Sequence, residues 1–198
     1  MIRSIKIYGL FGFLRLIRDK LFTILFYPKA RIVRLPVYIR GKKGIKGGES
    51  LTTGVNLRID IIHSETINPI LDIGKNVQFN DYVHIGVVEG VSIGDNTLIA
   101  SKVFISDHNH GSYAGDIHSN PNENPTARIL KPKKVTIGKN VWIGEYVAIL
   151  PGITIGDGAV IGAMSVVSRD IPANSIAVGS PARVIKKFDE TKSEWVSI

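Results

Sequence analysis

The stretch Ile137-Gly138-Lys139-Asn140-Val141-Trp142-Ile143-Gly144-Glu145-Tyr146-Val147-Ala148-Ile149, continuing through Ile155 and Ile161 to Val167, decides the fold. An aliphatic residue returns at every sixth position: Ile137, Ile143, Ile149, Ile155, Ile161 and Val167. Six is the period of neither an α-helix nor an alternating strand. It marks a repeat in which each short unit buries one side chain against its neighbours. A β-sandwich with glycine-rich turns is the plain alternative, but it does not require an unbroken six-residue spacing.

Working upstream, Ile93, Ile99 and Ile105 keep the same spacing, and Val55, Ile61, Ile67, Ile73, Phe79 and Ile85 form an earlier run. The two runs are out of step by two residues across Val87-Val88-Glu89-Gly90-Val91. Gly or Ala often follows the beat, as at Gly74, Gly94, Ala100, Gly138 and Gly144, which suits corners where backbones approach closely. Four residues after the beat stand small or β-branched residues such as Val77, Val83, Thr97, Val103, Val141 and Ser165, which suit flat strands.

The 198 residues contain no cysteine, which excludes disulfides, thiolate metal sites and a cysteine nucleophile. The net charge of +8 is unevenly placed. Residues 1–48 hold 12 Lys and Arg against one acid, whereas residues 49–198 hold 13 against 16. The chain therefore reads as a basic, amphipathic N-terminal segment (1–48), a repeat domain (49–187) and a short tail (188–198).

Ile5 to Tyr27 is rich in aliphatic and aromatic residues but interrupted by Lys6, Arg15, Arg18, Asp19 and Lys20. Its uncharged runs fall short of the roughly 20 residues that span a bilayer, and it lacks the cleavage region of a signal peptide. It suits a helix lying at a membrane interface, or a cap over the open end of the repeat core. The basic residues Arg31 to Lys46 carry no nucleic-acid motif, so no nucleic-acid partner is expected.

Between Ile105 and Ile137 the beat stops. Residues 106–136 are polar and hold three of the five histidines, His108, His110 and His118. Long excursions from a rigid scaffold are where binding and catalytic groups collect. His63 and His84 fall within repeat coils, where an outward polar residue is ordinary, and His118 reads as solvated.

The unit [aliphatic]-Gly-x-x-[small]-x resembles the hexapeptide repeat, whose families form an all-β, left-handed parallel β-helix with triangular coils, an exception to the right-handed crossover rule. The segment Ile93-Gly94-Asp95-Asn96-Thr97-Leu98-Ile99-Ala100 leading to His110 resembles galactoside and maltose O-acetyltransferases. Pro151-Gly152-Ile153-Thr154-Ile155-Gly156, Asp170-Ile171-Pro172 and Gly179-Ser180-Pro181-Ala182-Arg183-Val184-Ile185 do so too. Tyr8-Gly9-Leu10, Phe26-Tyr27-Pro28 and Thr52-Thr53-Gly54-Val55 are similar to the narrower lipopolysaccharide or O-antigen O-acetyltransferases.

The resemblance implies an acetyl-CoA co-substrate, no metal, a homotrimer with sites between subunits, and a cytoplasmic enzyme, peripheral to the inner membrane if residues 1–30 meet lipid. Counting without gaps from Ile93 places His110, and not His108, at the family's catalytic base. A sugar hydroxyl attacking a thioester must lose its proton to a base within hydrogen-bond reach. An ordinary imidazole, with a pKa of about 6.5, is largely neutral at pH 7 and suits that task. A backbone N–H at a coil corner would stabilise the oxyanion, and transfer would be direct.

Asn80, within Phe79-Asn80, matches an acceptor-site asparagine. His108 could orient His110, meet the acceptor or do nothing, and Asp107 could hold a loop histidine or serve turn chemistry; all three are placed with the acceptor. Glu145, Ala163, Ser168, Arg169, Arg183 and Lys186 occupy coenzyme-contacting positions, with Trp142 beside the acyl end or in a subunit corner. Ser168-Arg169 stands where Thr-Lys is commoner. Glu145 replaces a usual Ser and suits a phosphate only through its backbone. Lys131, Lys133 and Lys134 read as a solvated turn.

Two other functions compete. A metal-dependent hydratase resembling the γ-class carbonic anhydrases would use loop histidines as ligands, but those enzymes carry them on regular coils. A non-catalytic scaffold would have no use for the loop histidine or the coenzyme positions.

Overall fold

The computed structural model describes residues 2–63 and 67–198. Short strands stack into three parallel sheets that form the sides of a triangular prism, a left-handed β-helix, with one N-terminal helix α1 (Ile2–Phe26) outside it. The six-residue beat is the core. Sheet 1 stacks Thr53, Phe79, Ile99, Ile143, Ile161 and Ala177 in register. Sheet 2 stacks Ile39, Ile59, Ile85, Ile105, Ile149 and Val167. Sheet 3 stacks Gly47, Ile73, Ile93, Ile137 and Ile155, with a bridge onward to Ile171. Most of these side chains are fully buried, and each contributes about 1.5–3 kcal/mol of apolar transfer free energy.

The steps between sheets explain the interruptions. Sheet 3 to sheet 1 and sheet 1 to sheet 2 always take one hexapeptide, as from Ile93 to Ile99 to Ile105. All variation falls at the corner from sheet 2 to sheet 3. There the chain passes from Ile59 to Ile73, Ile85 to Ile93, Ile105 to Ile137 and, in one regular step, Ile149 to Ile155. At the regular corners asparagines take positive φ, and Asn76, Asn96 and Asn140 form a hydrogen-bonded stack. Gly94 permits close approach: a Cβ there would lie 2.6 Å from the Gly138 carbonyl carbon.

Three expectations require correction. The early beat at Val55, Ile61 and Ile67 is displaced, because Thr53 and Ile59 occupy the rungs beneath Phe79 and Ile85. Thr53 is buried and β-branched, so it fills an aliphatic position, and the spacing from Ile67 to Ile73 crosses a corner loop by coincidence. The prism also starts before residue 49, since Val37–Arg40 already pairs with Leu57–Ile61. Nor is 188–198 a separate tail: Ala182–Asp189 runs antiparallel to both Ser175–Gly179 and Glu194–Ser197, ending the parallel stack.

No described side chain of α1 joins the buried core. The N-terminal end is closed instead by Ala30, Val33, Ile45 and Leu51. The fully buried residues of α1 are polar, beside the half-buried Phe13, Leu16 and Phe22. Thr23 Oγ1 accepts from the Val33 amide at 2.8 Å, and the buried Asp19 accepts from Arg18 at 2.6 Å.

Candidate active site

The excursion after Ile105 is a folded arm. His108–His110 pairs antiparallel with Leu130–Pro132, opposing His110 to Leu130. Arg128 clamps its tip by donating to the Tyr113 hydroxyl at 2.7 Å and to the Glu123 carbonyl at 2.9 Å. The Tyr113 hydroxyl donates to the His110 carbonyl at 2.6 Å, so the clamp ends on the candidate base. Nothing in the local sequence pattern singles out Arg128.

Asp107 roots the arm. Its side chain is 0% exposed, and its carboxylate accepts the amide N–H groups of Val88, Glu89 and Gly90 at 2.7–3.0 Å. Those amides belong to the two-residue expansion of the preceding coil, which Asp107 thereby pins. His108 Nδ1 lies 3.0 Å from Asp107 Oδ1 and 3.4 Å from Ser106 Oγ. Its ring covers Gly86, where a Cβ would come within 3.1 Å of Cε1. Asp107 therefore presents no surface to an acceptor, which corrects its placement there. It is a positioning residue for His108 and for the corner, because burial without such partners would be costly.

His110 is exposed, and among the described residues its imidazole has no hydrogen-bond partner. Its ring centroid is 6.3 Å from that of His108. On the other face of the hairpin, a cavity of about 200 Å³ is lined by Asn109, Gly111, Tyr113, Lys131, Lys133 and Pro151. Lys131 and Lys133 thus border the arm's pocket.

Asn80 lies at the corner from sheet 1 to sheet 2, where its Oδ1 accepts from Gln78 at 2.9 Å. Helix α1 roofs this corner. Tyr8 and Leu16 join Arg34, Asn80, Asp81 and Ser101 around a cavity of about 360 Å³. Asn80 and His110 therefore occupy different corners of one protomer.

The coenzyme positions are also spread. Trp142 stands outward on sheet 1, 53% exposed, with Leu98 and Val160 on its flanking rungs. Glu145 and Ala163 stack on the corner bearing Asn80, where the Glu145 carbonyl accepts the Met164 amide at 2.8 Å. Ser168 and Arg169 are exposed beyond Val167, at the arm's corner. Arg183 and Lys186 lie on the terminal hairpin, the former exposed and the latter half-buried. Along the Glu145 corner runs a ridge of Tyr82, Tyr146 and Met164, exposed by 54%, 49% and 72%.

The histidines do not gather. Among the described residues no group of three His, Asp or Glu side chains could hold a metal ion. His84 instead contacts Asp60 at 3.2 Å in an ion-pair cluster with Arg58 and Arg40.

A three-sided parallel coil interrupted by a histidine-bearing arm defines a hexapeptide-repeat acyltransferase scaffold. The family model described as bacterial transferase hexapeptide (six repeats) matches residues 134–169. Over 196 residues the chain is 48% identical to Escherichia coli (strain K12) WbbJ, provisionally named a lipopolysaccharide biosynthesis O-acetyl transferase, covering 98% of each chain. A maltose O-acetyltransferase from Clostridium difficile 630 superposes with a TM-score of 0.60 at 33% identity, over 90% of this chain and 88% of that one. A galactoside acetyltransferase in complex with coenzyme A gives 0.53 at 34% identity, over 73% and 68%. The chain belongs to the hexapeptide-repeat acetyltransferases and is an acetyl-CoA-dependent O-acetyltransferase of that family.

Proposed function

We propose that this enzyme moves an acetyl group from acetyl-CoA to a sugar hydroxyl of a bacterial surface polysaccharide, of the O-antigen, lipopolysaccharide or capsule class, or of its lipid-linked precursor. His110 is the general base. The observation that carries this is the exposed, unpartnered His110 imidazole held on a hairpin that Arg128 and Tyr113 clamp. The acceptor oxygen attacks the thioester carbonyl carbon as His110 takes the hydroxyl proton. The C–S bond breaks on collapse of the tetrahedral intermediate, and the proton passes from imidazolium to the departing thiolate. His108, held by Asp107, sits behind His110 as a positioning or acceptor-contacting residue. Trp142, Glu145, Ala163, Ser168, Arg169, Arg183 and Lys186 hold the coenzyme, Glu145 through its backbone. Asn80 meets the acceptor.

The working unit is a homotrimer. The distribution of Asn80, His110 and the coenzyme positions over separate corners supports a site completed by neighbouring subunits. The exposed ridge of Tyr82, Lys102, Tyr146 and Met164, with the Lys102 ammonium on the Tyr146 hydroxyl, supplies a largely aromatic seam for that contact. The enzyme works on the cytoplasmic side, against the face of the inner membrane. His110→Ala removes acetyl transfer, followed as thiol release from acetyl-CoA with acceptor present, while trimer and coenzyme binding persist. Full activity in that variant overturns the assignment. Mass spectrometry of surface glycans with and without the gene then reads the product as one acetyl group.

A further inference from the structure

From Leu10 to Leu25 the outward face of α1 is apolar, and nothing among the described residues covers it. Leu10, Phe11, Leu14, Ile17, Leu21, Ile24 and Leu25 are 42–78% exposed. Beyond the break at Gly9 (φ 66°), they recur every three or four residues. At roughly 100° per residue they fill an arc of about 140°, opposite the buried Asp19 and Thr23. The exposed Arg15 borders this arc on one side and the exposed Lys20 on the other, where its ammonium also donates to the Arg31 carbonyl at 2.8 Å, and Arg18 near its edge folds back onto Asp19. Exposed apolar patches of this extent mark a docking surface.

Charge selects the occupant. Asp19 is the one acid among residues 1–48, against 12 Lys and Arg, and it is turned inward against Arg18. A helix of a second copy laid along the face would bring Arg15 and Lys20 against their own kind, with no acid to pair them. An anionic lipid surface satisfies both features, because the apolar arc enters the acyl boundary while the flanking cations meet headgroups. The exposed ring of Phe11, on the arc, suits that interface.

We infer that α1 lies flat on an anionic bilayer, with the cavity it roofs close to the membrane surface. Tyr8 and Leu16 of the same helix line the cavity over Asn80, so docking brings that cavity within reach of a saccharide carried on a lipid. The lipid contact stands without the proposed function, whereas the benefit to a lipid-linked acceptor rests on it.

The test uses the full-length protein with vesicles of phosphatidylcholine alone or containing phosphatidylglycerol, read by flotation at low and high salt. Wild type binds the phosphatidylglycerol vesicles at least ten-fold more tightly, and salt weakens the binding. Leu14→Glu with Leu21→Glu abolishes it, and Arg15→Glu with Lys20→Glu removes the preference for anionic lipid. Both variants keep wild-type oligomeric state and acetyl-CoA binding. Equal binding to both vesicle types, retained binding in Leu14→Glu/Leu21→Glu, or loss of the oligomer in that variant without vesicle binding by wild type would overturn the inference. A lipid-binding protein that transfers no acetyl group to any saccharide would sink the acceptor reading alone.

Discussion

Replacing Asp107 by Ala tests whether one buried carboxylate holds the arm and the preceding coil together. The wild-type carboxylate accepts three backbone N–H groups and faces the His108 ring from a site with no solvent exposure. Each buried donor left without a partner costs roughly 1–3 kcal/mol. Water can enter the space Ala leaves, so the lower bound applies to each of the three, giving about 3 kcal/mol in all. For a chain of this size that corresponds to a fall in Tm of about 6–12 °C. If the opening is confined to the corner, the amides of residues 88–90 instead exchange roughly 100-fold faster while global melting moves less. Asp107→Asn keeps one acceptor oxygen and falls between wild type and Ala. Scanning calorimetry with peptide-resolved hydrogen exchange separates these cases. A variant with wild-type melting and unchanged exchange at residues 88–90 would refute the reasoning.

Gly94→Ala forces a Cβ to within 2.6–2.7 Å of the Gly138 and Lys139 backbones and destabilises the fold by about 1–3 kcal/mol, whereas Gly90→Ala, whose nearest contact is 3.5 Å, changes unfolding midpoints little. At Asp60, burial raises the carboxyl pKa, but hydrogen bonds from Arg58 and His84 and the charges of Arg58 and Arg40 outweigh it and hold it below the ordinary carboxylate range. Its stabilisation is therefore present above the ordinary carboxylate pKa and lost as pH falls through the depressed value. Asp60→Asn is less stable at neutral pH and loses less on acidification, and parallel acid titrations of the two proteins would expose an error in that sign. Arg183→Ala raises KM for acetyl-CoA at least several-fold with a smaller effect on kcat, measured by steady-state thiol release. An unchanged KM removes Arg183 from the coenzyme site.

Much of the prism was legible because a six-residue beat has one economical explanation. From Ile93 onward every beat residue falls on the rung that the spacing assigns. The earlier run failed where Thr53 stands on a core rung, since its β-branched shape fits but its polarity hides it from a search for aliphatics. The arm was visible as a silence in the beat, but its internal order was not. Asp107 reads as turn chemistry until Val88, Glu89 and Gly90, 17–19 residues away, are seen to supply its partners. The outward stripe of α1 lies in a segment whose composition was plain. Its direction was not, because composition does not say that the helix buries Asp19 and Thr23 against the protein while most of its leucines face outward.

The corner between sheets 2 and 3 has a meaning for evolvability. Two edges of the prism keep a fixed hexapeptide step, so any length change there would shift every later rung out of register. The third edge already holds irregular steps of four different lengths, from 4 residues (Val167 to Ile171) to 32 (Ile105 to Ile137), beside a regular one between Ile149 and Ile155. New segments can be added, exchanged or lost on that edge while the scaffold stays as it is. Segment length can therefore diversify along a single line of the molecule, the line that already carries the arm with His110.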